Sequence, residues 1–394
     1  MISVAAAKKI IQEVSIPLQP KEVALQGAAG MALAADIYST IDIPAFNQSS
    51  VDGYAFSFEG WQQNPLLKID GEMAAGDAST NTLLPQHAIR IFTGAAVPDG
   101  ADSIVMQEKI SVENGMLQID DKNLKPGANL RPKGSEIEAG EMALEKGTIL
   151  SPAAIGYLAG FGIDKVLVFP KPAISIIVTG KELQQPGLPL AHGQVYESNS
   201  YTLSAALQQL GITTVKIYRA DDDLQILTAI LQDALLQSDV VLLTGGISVG
   251  DYDFVLQAAT NCGITKRFHR LKQRPGKPMY FGNKNNQLVF GLPGNPSSVL
   301  TCFYEYVIPA LQQISCTKKG METLVVPLGK SVSKPAGLTC FLKGMFDGKT
   351  AIALGAQESY RLSSFAKANC LIMIDEAIET LFEGDLVEIH LLPF

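Results

Sequence analysis

The region 171–316 alternates between short apolar runs and amphipathic stretches, and this alternation limits the possible folds more than any other feature of the chain. The runs 173–178 and 239–244 are rich in Ile, Val and Leu, as strands of a parallel sheet are when both faces are buried. Strands that alternate with helices predict a parallel sheet with right-handed crossovers. We therefore predict strands at 173–178, 213–218, 239–244 and 288–292 and helices at 200–210, 223–236, 251–260 and 297–313.

The rest of the chain differs from this region. Residues 44–133 are rich in Gly, Pro and short apolar alternations, which predicts a β-rich insert with many turns. Residues 318–394 lack a helical pattern and predict a C-terminal β-barrel-like domain. The predicted fold class is α/β plus β, in a multidomain chain. Its four parts are 1–43 with 134–170 as an elongated linking domain, 44–133 as the insert, 171–317 as the α/β domain and 318–394.

Individual elements are also predicted outside the α/β region. Apolar residues at helical spacing predict an amphipathic N-terminal helix over 1–16. Pro152 suits the first turn of a helix over 152–160. Strands are predicted near 148–150 and at 323–328, 350–354, 370–374 and 386–391.

Composition excludes several classes of function. The 394 residues are 47% hydrophobic and 18% charged, as expected for packed cores. A net charge of -8 argues against nucleic-acid binding through a basic surface. We expect no membrane span, because no apolar run approaches about 20 residues. Five scattered Cys residues without a C-x-x-C pair favour a cytoplasmic protein with reduced thiols and no zinc framework.

A glycine-rich loop follows the third strand of the α/β region. It contains Gly245, Gly246, Ser248 and Gly250, and a helix follows. Glycines let the backbone approach a ligand, and a helix N-terminus favours a phosphate. The alternative is a tight turn whose following helix is capped by an acid. The loop carries two acids, Asp251 and Asp253, and a cap needs only one. The loop is neither G-x-G-x-x-G nor a P-loop, so neither a nicotinamide cofactor nor ATP is implied.

Two further loops could bind an anion. Residues 293–298, which include Asn295 and Ser298, follow the strand 288–292; the alternative is an ordinary capped helix start. Between the two strand ends lie four cations within 270–277, and three of them flank a Pro-Gly turn. A solvated basic loop is the alternative for this run. Its place between two glycine-containing strand ends favours an oxyanion or phosphate site.

Acidic residues follow successive strands of the predicted sheet. Glu182 follows the first strand, 221–223 are three Asp residues after the second, and Asp253 follows the third. Carboxyl ends of parallel strands line one crevice. Carboxylates and cations there suit Mg²⁺ bound between protein and phosphate. The alternative is that 221–223 caps the next helix. In the N-terminal half, polar turns occur around Asp52, at 92–98 and at 131–136, and each alone reads as a surface loop.

Five segments in order resemble the molybdopterin molybdenumtransferase family, the MoeA-type proteins that include the gephyrin E domain. They are S-x-V-D-G-Y-A, with 50–55 at its core, T-G-A at 93–95, G-G-I-S-V-G-D-Y-D at 245–253, P-G-K-P at 275–278 and G-L-P-G-N-P at 291–296. The resemblance covers essentially the whole chain.

The resemblance implies an enzyme that inserts molybdate into adenylylated molybdopterin with Mg²⁺ and releases AMP, the last step of molybdenum cofactor biosynthesis. It implies a homodimer in which the α/β domain of one subunit faces the insert of the other. It also implies possible contacts with molybdopterin adenylyltransferase and with recipient molybdoenzymes. Two alternatives stay open: a molybdopterin adenylyltransferase, and a weakly active cofactor-binding or scaffold paralogue.

Site residues are implied where this chain matches the family. The expected catalytic residues are Asp52, Thr93, Glu136, Glu182, Asp222 and Asp253, of which Glu182, Asp222 and Asp253 would bind the metal. The expected substrate-binding residues are Gly245, Gly246, Ser248, Gly250, Arg274, Lys277, Pro278, Asn295, Ser298, Lys343 and Ser359. Four positions depart from the usual family residue: Glu136 replaces Asp, Lys181 replaces Asp, Arg274 replaces Lys and Lys343 replaces Arg.

Overall fold

The computed structural model describes residues 1–77, 82–246, 254–317 and 321–393. The chain forms two compact units. The first unit comprises Met1–Val23, Ala28–Ala34 and Leu167–Phe394, and the second comprises Ala24–Gly27 and Ala35–Val166. The predicted division into four parts stays a prediction.

A six-stranded sheet organises the α/β part of the first unit. Four strands are parallel, as predicted, and they end within about two residues of the predicted positions. Two antiparallel strands, Tyr280–Lys284 and Thr265–His269, extend one edge and were not predicted. The outer one lacks an apolar run because Lys266 and Arg267 are exposed at the sheet edge. The strand order is Val215–Ala220, Ile174–Thr179, Val240–Thr244, Gln287–Leu292, Tyr280–Lys284 and Thr265–His269.

Helices cover both faces of this sheet. Alternate strand residues enter two separate cores: Leu242 and Phe290 point to one face, and Val241 and Val289 to the other. The helices are Asn199–Gln209, Leu224–Gln237, Phe254–Asn261, and Pro296–Cys302 continued through a π-helical turn, Phe303–Val307, into Ile308–Ile314. The N-terminal helix Val4–Val14 packs against Ile308–Ile314. Among the described residues, no helix has both the length and the apolar composition needed to cross a membrane.

The C-terminal part of the first unit is a second β-sheet. The predicted strands are confirmed as Thr323–Pro327, Ala351–Ala353, Cys370–Ile374 and Leu386–Leu391. The strand Thr339–Phe346 was not predicted; its eight residues pair antiparallel with Cys370–Ile374 and in parallel with Gln273–Arg274. Lys343 and Gly344 interrupt its apolar pattern. Shorter pairs in the first unit are Leu183–Gln184 with Val195–Tyr196 and Val332–Ser333 with Thr380–Leu381. Val168 and Phe169 of the strand Lys165–Phe169 pair with Ala32–Leu33, and a further strand is Lys21–Ala24.

The second unit contains the β-rich part of the predicted fold. Its six-stranded sheet has the order Ser103–Met106, Gly53–Phe56, His87–Ile91, Leu66–Met73, Met116–Ile119 and Ile110–Glu113. Helices lie at Phe58–Gln63 and, as predicted, at Pro152–Gly160. The strand predicted near 148–150 is wrong: the strand is Met142–Leu144, which pairs with Ile37–Tyr38. Thr148 instead closes a turn by donating its N–H to the carbonyl of Glu145. Gln48–Ser49 pairs with Leu130–Arg131.

Candidate functional site

The carboxyl ends of the parallel strands open into a cleft of about 900 Å³ in the first unit. Both the α/β part and the loop 357–360 of the C-terminal sheet line it. Seven residues expected at the site from the sequence line this cleft: Glu182, Arg274, Lys277, Pro278, Asn295, Ser298 and Ser359. Asp222, Gly245, Gly246 and Lys343 are not among its lining residues. Ser248, Gly250 and Asp253 lie outside the described residues.

Residues 270–278, here the cationic loop, form one wall of the cleft. The N–H of Leu271 donates to the carbonyl of Lys277 at 2.9 Å and closes the loop. Arg274 and Lys277 are exposed, and neither pairs with a carboxylate of the described chain. Lys272, by contrast, lies 3.7 Å from a carboxylate oxygen of Glu376. The predicted cluster of cations therefore divides, and two positive charges stay available to an anion.

A second wall begins at the helix Pro296–Cys302. Asn295 is its N-cap residue, but its side chain makes no capping hydrogen bond. Its Nδ2 instead donates to the Ser359 hydroxyl oxygen at 2.8 Å, and the N–H of Ser297 donates to the Ser359 carbonyl at 3.0 Å. These bonds join the α/β part to the C-terminal sheet and place the Ser359 hydroxyl at the cleft. Ser298 follows, nearly buried, on the same wall.

Residues 355–361, here the Ser359 loop, are held from inside the protein by Lys343. This side chain is 1% exposed. Its Nζ donates to the carbonyls of Ala356 at 2.8 Å, Arg361 at 3.3 Å and Glu358 at 3.4 Å. Burial lowers the pKa of Lys343, although the charge of Glu358 opposes that shift. The structure thus places the ammonium behind the loop, whereas the sequence analysis expected it at the substrate.

Two of the predicted metal ligands, Glu182 and Asp222, lie in the loops that follow neighbouring strands. Glu182 is exposed and lines the cleft. The Asp222 carboxylate accepts a hydrogen bond from the N–H of Lys181 at 3.3 Å, which links the loops after neighbouring strands. Asp223 caps the helix Leu224–Gln237 by accepting two N–H groups at 2.9 Å, which confirms for this residue the alternative that 221–223 caps the next helix. No group of three potential metal ligands occurs in the described part of the chain.

The two glycines at the third strand end are required by packing. Gly245 and Gly246 have φ values of +83° and +64°. A Cβ on Gly245 would lie 2.4 Å from the carbonyl oxygen of Thr179. A Cβ on Gly294 would lie 3.8 Å from the Cα of Gly245, so the loops after two adjacent strands approach closely. Glycine is required at position 245, where the positive φ and the contact with Thr179 leave no room for a side chain, and such a backbone can also approach a ligand closely.

In the second unit, the structure brings together two of the expected catalytic residues. The Asp52 carboxylate accepts hydrogen bonds from the N–H of Thr93 at 2.8 Å and from its hydroxyl at 2.7 Å. The backbone bond and then the hydroxyl bond lower the pKa of Asp52. Both residues are exposed, as is Glu136, whose N–H donates to the carbonyl of Ile43 at 2.8 Å. The Asp52–Thr93 pair is therefore an ionised, preformed polar surface.

Sequence reasoning missed two side chains that line the cleft. Glu197 is buried, and its two carboxylate oxygens accept the N–H and the hydroxyl of Ser200 at 2.8 and 2.5 Å. Gln273 is a residue of the cationic loop, and its side chain is completely buried. A carboxylate just before a helix N-terminus, which its negative charge stabilises, could have indicated the first. The burial of Gln273 could not be predicted, because a single amide side chain in a basic loop is normally exposed to solvent.

Three family models match the chain in succession. They are the MoeA N-terminal region (domain I and II) at residues 2–162, the probable molybdopterin binding domain at 175–313 and the MoeA C-terminal region (domain IV) at 325–392.

Full-length relatives also match. The molybdopterin molybdenumtransferase of Haemophilus influenzae is 31% identical over 99% of this chain and 97% of its own length. Molybdopterin molybdenumtransferase 2 of Mycobacterium tuberculosis is 32% identical over 99% of both chains. The crystal structure of the molybdopterin biosynthesis MoeA protein from Pyrococcus horikoshii superposes with a TM-score of 0.84, 32% identity and 99% coverage of both chains.

Proposed function

Because this chain belongs to the molybdopterin molybdenumtransferase family, we propose that its cleft is where molybdate is inserted into adenylylated molybdopterin with release of AMP. The enzyme is a transferase of molybdenum cofactor biosynthesis. One observation carries the location: Arg274 and Lys277, both exposed and without a described carboxylate partner, line a cleft at the carboxyl ends of the sheet.

The charge distribution supports an anionic substrate at this place. The chain as a whole carries a net charge of -8 and would repel molybdate and phosphates. At the cleft, the cationic loop makes the local charge positive. Lys277 offers a compact point charge, and Arg274 offers a planar fork that suits an oxyanion or phosphate. Ser298 and Ser359, which also line the cleft, supply uncharged hydrogen-bonding groups through their hydroxyls.

Glu182 and Asp222 fit a Mg²⁺ ion. Proteins commonly hold Mg²⁺ through one or two carboxylates together with substrate phosphates, so a third protein carboxylate is not required. Glu182 presents an exposed carboxylate to the cleft, and the backbone of Lys181 connects it to Asp222. Asp253, the third expected ligand, lies outside the described residues. Bound Mg²⁺ would offset the negative charge of the phosphates. Glu182 would also orient water for cleavage of the phosphoanhydride.

We assign the exposed Asp52–Thr93 pair and Glu136 to the same site in a homodimer, where they would come from the partner subunit. Their hydrogen bonding keeps the Asp52 carboxylate ionised and fixed. Contacts with molybdopterin adenylyltransferase and with recipient molybdoenzymes belong to this proposal. So does a cytoplasmic location, in keeping with five free cysteines.

The test measures AMP release and cofactor formation from adenylylated molybdopterin, molybdate and Mg²⁺. Lys277→Met should lower the rate about 100-fold, because a charge aimed at the oxyanion is lost. Lys266→Met, which removes an exposed Lys from the edge strand, is the matched control and should keep the wild-type rate. Equal rates in both variants would place the site elsewhere. Consumption of ATP without AMP release would indicate a molybdopterin adenylyltransferase.

A further inference from the structure

The cationic loop rests on a buried amide that no substrate can reach. Gln273 is 0% exposed. Its Nε2 donates to the carbonyl of Pro275 at 2.9 Å and, more weakly, to that of Gly276 at 3.4 Å. Both carbonyls belong to the turn between Arg274 and Lys277. One side chain therefore hydrogen-bonds both carbonyls of the backbone that separates the two exposed cations.

The amide of Gln273 is itself oriented by a tyrosine. The hydroxyl of Tyr306 donates to Oε1 of Gln273, and Tyr306 is also completely buried. Burial raises the pKa of Tyr306 well above 10, so the hydroxyl keeps its proton. With Oε1 occupied as an acceptor, Nε2 must face the turn. Tyr306 lies in the π-helical turn Phe303–Val307, a rare conformation that occurs often near functional sites.

The turn also packs closely against the buried side chains beneath it, those of Cys302 and Gln273. Gly276 has a φ of +86°, and a Cβ there would lie 2.5 Å from the Sγ of Cys302 and 2.8 Å from Nε2 of Gln273. Burial raises the pKa of the Cys302 thiol far above its ordinary value, so this thiol carries no charge. The supports of the loop are thus neutral, and its two positive charges face the cleft.

We propose that Gln273 and Tyr306 are a positioning pair that sets the spacing of Arg274 and Lys277 for one oxyanion. This proposal rests on the proposed function, since the anion is molybdate or a phosphate of its co-substrate. Gln273 and Tyr306 touch no substrate. They act through the backbone of the turn, and affinity for the anion depends on that geometry.

Tyr306→Phe tests the pair while it keeps the ring. Losing one neutral hydrogen bond should raise the KM for molybdate, and its Kd by equilibrium dialysis, about fivefold, with kcat within twofold of wild type. Tyr280→Phe is the matched control, because the Tyr280 side chain is also buried and its hydroxyl has no hydrogen-bond partner among the described residues. Its KM and Kd should equal those of wild type. An unchanged Kd in Tyr306→Phe would overturn the proposal.

A double-mutant cycle separates positioning from general loss of stability. Gln273→Met should raise the Kd at least as much as Tyr306→Phe does. Adding Tyr306→Phe to Gln273→Met should then change nothing further, because the bond no longer exists. If the two substitutions raised the Kd by fully additive amounts in free energy, Gln273 and Tyr306 would not act as a pair, and the proposal would be overturned. If wild-type protein neither binds molybdate nor releases AMP, the proposed function fails instead, and that result is distinct from a normal wild type with an unresponsive Tyr306→Phe.

Discussion

Two of the loops that line the cleft are supported in opposite ways. The cationic loop, 270–278, rests on the neutral amide of Gln273 and presents its charges outward. The Ser359 loop, 355–361, is held by the buried ammonium of Lys343 and presents a hydroxyl. Because the amide of Gln273 is neutral, it does not offset the positive charges of Arg274 and Lys277. The charge of Lys343, by contrast, is stabilised by the backbone carbonyls to which it donates.

The difference shows that residue type alone does not identify a ligand-binding lysine. Lys277 and Lys343 were both expected at the substrate. One is exposed without a described carboxylate partner, and the other is 1% exposed with three carbonyl partners. Substitutions should therefore affect mainly binding at the first position and mainly stability at the second.

The largest effect should come from Gly276→Ala in the cationic loop. The new Cβ meets the buried Sγ of Cys302 at 2.5 Å, and the positive φ adds backbone strain. We expect about 2–4 kcal/mol of lost unfolding free energy, together with weaker molybdate binding. Gly187→Ala, also at positive φ but with no atom within 4 Å of the new Cβ, should lose only about 1 kcal/mol in chemical denaturation.

Cys302→Ala sharpens this prediction. It removes the sulfur that the new methyl group would meet, so the double variant Gly276→Ala/Cys302→Ala should recover part of the lost stability. Purely additive losses would contradict steric contact as the cause.

Lys343→Met should have the next largest effect. Three loop carbonyls lose their donor, so we expect a loss of about 1–3 kcal/mol in unfolding free energy. Lys349→Met, at an exposed position that follows the same strand, should lose less than about 0.5 kcal/mol. A stable Lys343→Met protein that cannot bind molybdate would reverse the comparison, since Lys343 would then act on the ligand.

A smaller effect should be a pH dependence of the free energy of unfolding, which arises from titratable groups beside Tyr306. Glu305 precedes Tyr306, is fully buried, and lies 2.6 Å from both Lys8 Nζ and His390 Nδ1. Burial would raise the pKa of Glu305, but His390 and Lys8 outweigh it and lower the value below 4.5. Burial would lower the pKa of His390, but Glu305 and then Glu388 outweigh it and raise the value above 6.5.

The sign of each shift fixes the pH window. The Glu305 contribution is present above pH 4.5 and is lost as pH falls through its folded pKa; the His390 contribution is present below pH 6.5 and is lost as pH rises through its folded pKa. In denaturant titrations, the free energy of unfolding of wild type should therefore exceed that of His390→Gln most between about pH 4.5 and 6.5. The exposed His192→Gln control should follow wild type throughout. A difference independent of pH would rule out titration as the source.

The smallest effect should come from Thr93→Ala, far from either loop in sequence. The hydroxyl bond to Asp52 is lost, but the backbone bond, the larger cause of the lowered pKa, remains. The pKa of Asp52, followed by NMR, should therefore rise but stay below 3.8. The melting temperature should not change, because both residues are exposed. A pKa at or above 3.8 would show that the hydroxyl dominates.

Much of the cleft followed from the sequence because strand ends in a parallel sheet converge. Runs such as 239–244 indicated strands, and Glu182, Lys277 and Asn295 follow or lie between strand ends. The missed elements lack such periodicity. Thr339–Phe346 contains Lys343, which is buried against the Ser359 loop, and Gly344, which packs against Cys370 and Ile372 of the neighbouring strand.

The sequence by itself determined the four parallel strands, the order of the motifs and the sign of charge at the cleft, because these depend on local periodicity and composition. Only the tertiary structure decided which charges stay available. It buried Lys343 against carbonyls that are 13 to 18 residues distant in the chain and placed Gln273 under Pro275 through the orientation imposed by Tyr306. Partners of this kind are set by packing between segments, which no local pattern encodes.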